Sequence, residues 1–267
     1  MDLPPPAVEV PRLALDRTGS AQGRRSVPEE VAISLTYNRA AYAVMMATPL
    51  DVEDFGVGFT LNEGLITAVS ELSDIEICRH ELGLELRMTL IGAAADRTAE
   101  RRRRIAGPVG CGLCGIESLS EALRPLPSIG ADLRVTRDEI LMAVSTLAQS
   151  QPLNRETRAV HAAGFWRSTR GFVAVREDVG RHNALDKLAG ALARAGESAA
   201  DGMLVISSRV SIEMVQKAAM MGAGIMVAVS APTALAVRAA ETAGITLIAV
   251  ARNDGFEVFS APQRVQA

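Results

Sequence analysis

Aromatic side chains are scarce in this chain of 267 residues, at 3 % of the composition. A core without them must be built from Ala, Val, Leu, Ile and the ten methionines. Strong net charge of either sign is also missing: the formal value is −3, which leaves no electrostatic footprint for nucleic acid. Cysteine is limited to three residues, an odd number, and residues 1–11 are acidic and proline-rich rather than basic and then apolar. Both features point away from export and toward a reducing, cytoplasmic compartment. No apolar run approaches the roughly 18 residues of a membrane-spanning helix. No Walker motif occurs, and the Gly-x-Gly-x-x-Gly pattern at 110–115 follows an expected helix rather than a strand, so an ordinary dinucleotide or ATP site is unsupported. What is present is a hydrophobic content of 48 %, in a length that suits one large domain or two modest ones.

The organisation changes along the chain. Residues 1–28 hold Pro4-Pro5-Pro6, Gly19-Ser20 and Gly23-Arg24-Arg25-Ser26, and are expected to form a flexible segment, loose or extended. Residues 31–36 and 42–46 read as a hairpin around a turn at Asn38-Arg39. Asp51 is placed to cap a helix through Leu61, with Glu53 and Asp54 in its first turn. Strands are expected at 75–78 and 82–90, then a helix from Ala93 to about Ile105 that ends in four arginines, residues 101–104. Four arginines at a helix C-terminus complement its dipole, and seven residues before a cysteine pair they also supply a positive field. A short helix is expected at 117–123. Pro125, Pro127 and Gly130 mark a linker, which divides a β-rich first domain (29–130) from a second domain (131–267).

The second half alternates strand and helix. Thr136-x-x-Glu139 is a capping box. A strand is expected at 171–175 and a helix at 183–195. Three wholly apolar strands follow, at 203–206, 225–229 and 245–250, with helices at about 210–221 and 232–243. Apolar strands alternating with helices predict a parallel sheet covered on both faces, hence an α/β second half and α+β overall.

Two features carry chemistry. The first is Gly110-Cys111-Gly112-Leu113-Cys114-Gly115. Thiols three positions apart can form a disulfide, hold half of a metal site or activate one another, and the glycines leave the sulfurs unshielded on a pliable loop. A structural zinc site wants four ligands, often two such pairs, and only one pair exists, with Cys78 and His80 as remote completions. The His-x-Glu…Pro-Cys-x-x-Cys of zinc deaminases is absent. The second feature is a set of polar strand ends: residues 176–183, Ser207-Ser208-Arg209, Ser230-Ala231-Pro232-Thr233, and residues 251–255. In parallel α/β sheets ligands bind where strands end and helices begin. Four polar junctions, three with an arginine, favour a phosphate-bearing ligand over simple helix capping. Within them His182 is a candidate for ligand contact or proton transfer, and His161 for a core or junction role.

Cys-Gly-Leu-Cys-Gly at 111–115, Arg-Glu-Asp-Val-Gly-Arg-His-Asn-Ala-Leu-Asp-Lys at 176–187, Ser-Arg-Val-Ser at 208–211, Glu-Met-Val-Gln-Lys at 213–217, Ala-Val-Ser-Ala-Pro-Thr at 228–233 and Val-Met-Met-Ala-Thr-Pro-Leu-Asp-Val-Glu-Asp-Phe at 44–55 resemble the formate dehydrogenase accessory sulfurtransferases. The resemblance runs from about residue 28 to the end. It implies a sulfurtransferase that takes persulfide sulfur from a cysteine desulfurase. The sulfur is then delivered to the metal of the bis(molybdopterin guanine dinucleotide) molybdenum cofactor, a bound substrate destined for formate dehydrogenase. It also implies a cytoplasmic homodimer and a second domain with a three-layer, cytidine-deaminase-like fold lacking zinc. Cys111 maps to the persulfide-carrying cysteine and Cys114 to its partner, which resolves the persulfide or tunes it. Val250, Ala251, Arg252, Asn253, Asp254 and Gly255 map to the cofactor-contacting stretch. Two departures stand out: Ser208 replaces the family's usual Gly before the Arg, and Asp254 brings negative charge near phosphates. A non-catalytic cofactor chaperone and a thiol–disulfide oxidoreductase are the alternative functions.

Overall fold

A computed structural model describes residues 3–105, 123, 125–130 and 132–266. It begins with a finding the sequence did not announce. Residues 7–28 are not a loose segment but a regular antiparallel hairpin, β1 (Ala7–Asp16) and β2 (Gly19–Pro28), in register from Ala7 opposite Pro28 to Asp16 opposite Gly19. Its turn closes because the Asp16 carboxylate accepts from the Thr18 backbone N–H at 2.7 Å, and Gly19 takes φ +144°. The hairpin buries little apolar surface of its own, so composition gave no strand signal.

Strands β3 (Val31–Tyr37), β4 (Ala40–Ala47), β5 (Leu72–His80) and β6 (Gly83–Leu90) form a four-stranded sheet in the order β4-β3-β6-β5, with β3 and β6 parallel. The turn at Asn38-Arg39 has φ of 47° and 66°, as a two-residue hairpin turn requires. Alternation along the strands turns Ile33, Leu35, Leu84, Leu86 and Met88 inward. There they meet Phe55 and Phe59 of α1 (Val52–Asn62) and Ala94 of α2 (Ala93–Ile105). Asp51 holds the N-cap position of α1 but makes no side-chain cap bond. It adopts φ 53°, and its carboxylate lies 3.6 Å from Arg176 instead.

In the second half, β7 (Val135–Thr136) pairs with β14 (Val265–Gln266). Helix α3 (Arg137–Gln149) opens with the expected capping box, and α4 (Pro152–Thr157) follows. A six-stranded sheet then runs in the order β13-β12-β11-β10-β8-β9. Its members are β8 (His161–Arg167), β9 (Gly171–Asp178), β10 (Met203–Ile206), β11 (Ile225–Ala228), β12 (Thr246–Arg252) and β13 (Gly255–Val258). Strands β10, β11 and β12 are parallel, and β8 is antiparallel to both β9 and β10.

The wholly apolar strands are explained by two covered faces. Leu204, Ile206, Met226 and Leu247 pack on α5 (Arg181–Arg194), α6 (Ile212–Met220) and α7 (Ala234–Ala243). Met203, Val205, Ile225 and Ile248 pack on Ile140, Val144 and Leu147 of α3. The second half is thus three layers, α/β/α.

The two halves meet where α1 crosses α5, through glycines. A Cβ on Gly58 would lie 1.7 Å from the Asp186 carbonyl oxygen, and one on Gly190 would lie 1.9 Å from that of Asp54. No side chain fits at either position. The close crossing fixes the loop at 48–51, just before α1, over the end of β9.

Candidate functional site

The charged run at 176–187 spends most of its side chains inside the protein. Arg176 donates to Asp54 of α1 at 2.7 and 2.9 Å. The Glu177 carboxylate accepts the backbone N–H groups of Leu153 and Asn154 at 3.0 and 2.8 Å, satisfying the first turn of α4 from a neighbouring strand. Asp178 is wholly buried. It accepts from Thr48 N–H at 3.0 Å, Gly180 N–H at 2.7 Å and Asn183 Nδ2 at 3.0 Å, and pairs with Lys187 Nζ at 2.6 Å. Lys187 has no exposed surface and also donates to the Thr48 carbonyl at 3.0 Å. Burial pushes its ammonium pKa down, against the pull of Asp178. Asn183 reaches Met46 O at 2.8 Å. Asp186 holds Asn62 at 2.7 Å and Lys217 at 2.7 and 2.8 Å, while its burial pushes the carboxyl pKa up. The motif is therefore first a clamp, tying residues 46–62 to the second half.

Two of its side chains remain uncommitted. Among the described residues, Arg181 Nε and His182 Nε2 are buried with no hydrogen-bond partner. Both belong to the first turn of α5, at the end of the sheet where β9, β10, β11 and β12 terminate and antiparallel β8 begins with His161. Burial, then the charges of Arg181 and Lys217, depress His182 to about 4, so it is neutral at physiological pH. His161 is also lowered, by burial and Arg181. Glu213, in the first turn of α6, is held below the usual carboxylate range, chiefly by the nearby Ser211 hydroxyl. His161, Arg181, His182 and Glu213 thus sense one another's charge at one sheet edge. Beside them a cavity of about 210 Å³ opens between α1, α5 and α6, floored by Met45 and Phe59 and walled by His182, Asp186, Glu213 and Lys217.

The other polar strand ends gather at the same edge. Ser207 is fixed against β8, its Oγ accepting from Ala162 N–H at 2.9 Å and its N–H donating to Ala162 O at 3.0 Å. Ser208 is buried and Arg209 exposed. Thr233 caps α7 through Ala236 N–H, at 3.2 Å. Val250 donates to Ser230 O at 3.2 Å and adopts φ 52°. A β-branched residue in the left-handed region is strained, and such strain clusters at functional sites. The twist breaks the β12–β13 register between Ala249 and Arg252 and projects Arg252, Asn253 and Asp254 as an exposed turn before Gly255. The structure therefore brings Arg181, His161, His182, Arg209 and residues 250–255 to one edge of one sheet. Cys111, Cys114 and most of the expected helix at 117–123 lie outside the described residues. Cys78 sits half-buried on β5, and its neighbour His80 hydrogen-bonds Glu85 at 3.0 Å.

Sequence reasoning passed over Thr48, Asp54 and Lys217 as members of the clamp. The available signal was a pair of charges, Asp186 and Lys187, within a run of buried helical positions, since charges there are rarely tolerated unpaired.

The FdhD/NarQ family model matches residues 28–266. The sulfur carrier protein FdhD of Agrobacterium fabrum is 50 % identical, over 96 % of this chain and 95 % of its own length. Its namesake from Brucella abortus is 48 % identical, over 96 % of both chains. A crystal structure described as a "putative formate dehydrogenase accessory protein", from Desulfotalea psychrophila, superposes with a TM-score of 0.79 at 26 % identity, over 98 % of this chain and all of that one. With the family model matching residues 28–266 and these relatives alike over nearly its whole length, this chain belongs to the FdhD/NarQ family.

Proposed function

We propose that this chain is a sulfur carrier in formate dehydrogenase maturation, and that the sulfur travels as a persulfide on Cys111. The observation that carries the reading is the single Cys-x-x-Cys of the chain, Cys111 and Cys114, in a family member whose relatives are named sulfur carrier proteins. In loading, the Cys111 thiolate attacks the terminal sulfur of a cysteine desulfurase persulfide, and the desulfurase cysteine leaves as a thiolate. In delivery, the Cys114 thiolate attacks Cys111 Sγ and the bond from Sγ to the terminal sulfur breaks. That sulfur departs as sulfide with the electron pair, toward the metal, and Cys111 and Cys114 end as a disulfide. The two electrons that reduce the sulfur come from the thiols, so the step balances.

The acceptor is the bis(molybdopterin guanine dinucleotide) cofactor, bound as substrate at the sheet edge. Arg181, Arg209 and Arg252 supply positive charge for its diphosphates, and residues 250–255 supply the turn against which it lies. Buried Arg181 Nε and His182 Nε2, which have no partner among the described residues, fit a polar ligand that completes their hydrogen bonding. The chain works as a cytoplasmic homodimer. In cells that depend on this chain, Cys111→Ala should abolish formate dehydrogenase activation. Full activation by that variant would sink the proposal.

A further inference from the structure

Among the described residues, the β1–β2 hairpin is an arm held only at its base. Arg25 Nη2 donates to Thr157 O at 3.4 Å, Ser26 Oγ bonds to Glu156, and Glu29 N–H donates to Pro6 O at 2.9 Å. Across residues 11–25 every residue except Ala14 is exposed. Ten-residue strands carry the tip roughly 30 Å from that base. A two-stranded hairpin exposed on both faces is marginal in water, so this one calls for a surface to lie on.

Its chemistry describes that surface. The pleat puts Pro11, Leu13 and Leu15 on one face, with Leu13 59 % and Leu15 74 % exposed. The arm carries Arg12, Arg17, Arg24 and Arg25 against Glu9 and Asp16, a net +2; with the whole chain at −3, the remainder stands at −5. Glu9 is taken by Arg24, whose Nη2 donates to its backbone carbonyl at 2.8 Å, and Asp16 is taken by Thr18 in the turn. Arg12 and Arg17 stay exposed. The arm thus has the opposite charge sign to the body of its own chain. It also precedes the region matched by the family model, which starts at residue 28.

We propose that the arm grips a second copy of this chain, laying its Pro11, Leu13 and Leu15 face and its arginines on the acidic body of the partner. A two-fold axis makes the exchange reciprocal, each arm holding the other's body. The inference rests on the homodimer of the proposed function and assigns the contact that makes it.

The test is light scattering behind size exclusion on the full chain, wild type and two variants, Leu13→Asp/Leu15→Asp and Arg12→Glu/Arg17→Glu. All four positions are exposed, and an unchanged unfolding midpoint checks that the body is intact. Hydrogen exchange of residues 10–24 is followed in parallel, at high and low protein concentration. The expected result is a two-chain mass for wild type, at least tenfold weaker association in both variants, and arm amides protected only at high concentration. Two-chain mass retained by both variants, or arm exchange independent of concentration, would overturn the arm as the grip. A one-chain wild type at every concentration would overturn the homodimer reading itself.

Discussion

Replacing Lys187 with methionine should destabilise the protein far more than an ordinary lysine change. The ammonium and its partner Asp178 are both 0 % exposed and 2.6 Å apart, and Lys187 also donates to the Thr48 carbonyl. Removing one member of a buried pair leaves an uncompensated charge and costs about 3–5 kcal/mol. Asp178 would keep its bonds from Thr48, Gly180 and Asn183, which places the expected loss near the lower end, about 3 kcal/mol. That is a large fraction of a typical stability of about 5–15 kcal/mol. Urea unfolding can be followed through Trp166, the one tryptophan, which is buried in the six-stranded sheet. Adding Asp178→Asn to Lys187→Met removes the stranded charge and should recover part of the loss. A loss below about 1 kcal/mol for Lys187→Met, with no recovery in the double variant, would refute the clamp as a buried ionic tie.

Gly58→Ala should cost about 1–3 kcal/mol or more by forcing α1 off α5, because its Cβ would meet the Asp186 carbonyl at 1.7 Å. Gly130→Ala, which has open space and meets nothing within 4 Å, is the control; equal stability of the two variants in urea titrations would contradict the close crossing. The depressed His182 makes a pH prediction with a definite sign. Its folded value of about 4 lies below the ordinary 6.5, so between these the unfolded chain binds the extra proton and stability falls as pH falls. The stability difference between wild type and His182→Gln should widen as pH falls from 6.5 to 4, with wild type the more acid-sensitive. A pH-independent difference would show that His182 is not held neutral by burial.

Much of the second half was legible because its strands are apolar on both faces. Residues 203–206 were read to the residue, 225–229 and 245–250 to within two, and the Thr136–Glu139 capping box closed as expected. Strand β8 was missed, since His161-Ala-Ala-Gly-Phe-Trp-Arg has neither alternation nor a flanking turn signal strong enough to mark it. The arm was missed for another reason, because its proline, glycine and arginine content masked the short apolar alternation of Pro11, Leu13 and Leu15. Residues 176–187 were read as a ligand cluster, and their position at the sheet edge fits that reading. Their partners Thr48, Asp54 and Asn62 lie more than 120 residues away, and that distance hid the clamp. Within that run, Arg181 and His182 keep buried polar atoms that have no partner among the described residues.

The central claim is that Cys111 carries sulfur. Its most direct test is the intact mass of the protein after incubation with a cysteine desulfurase and cysteine, for wild type, Cys111→Ala and Cys114→Ala. The account predicts a one-sulfur increment on wild type and on Cys114→Ala, and none on Cys111→Ala. No increment on wild type, or an increment that survives in Cys111→Ala, would contradict it.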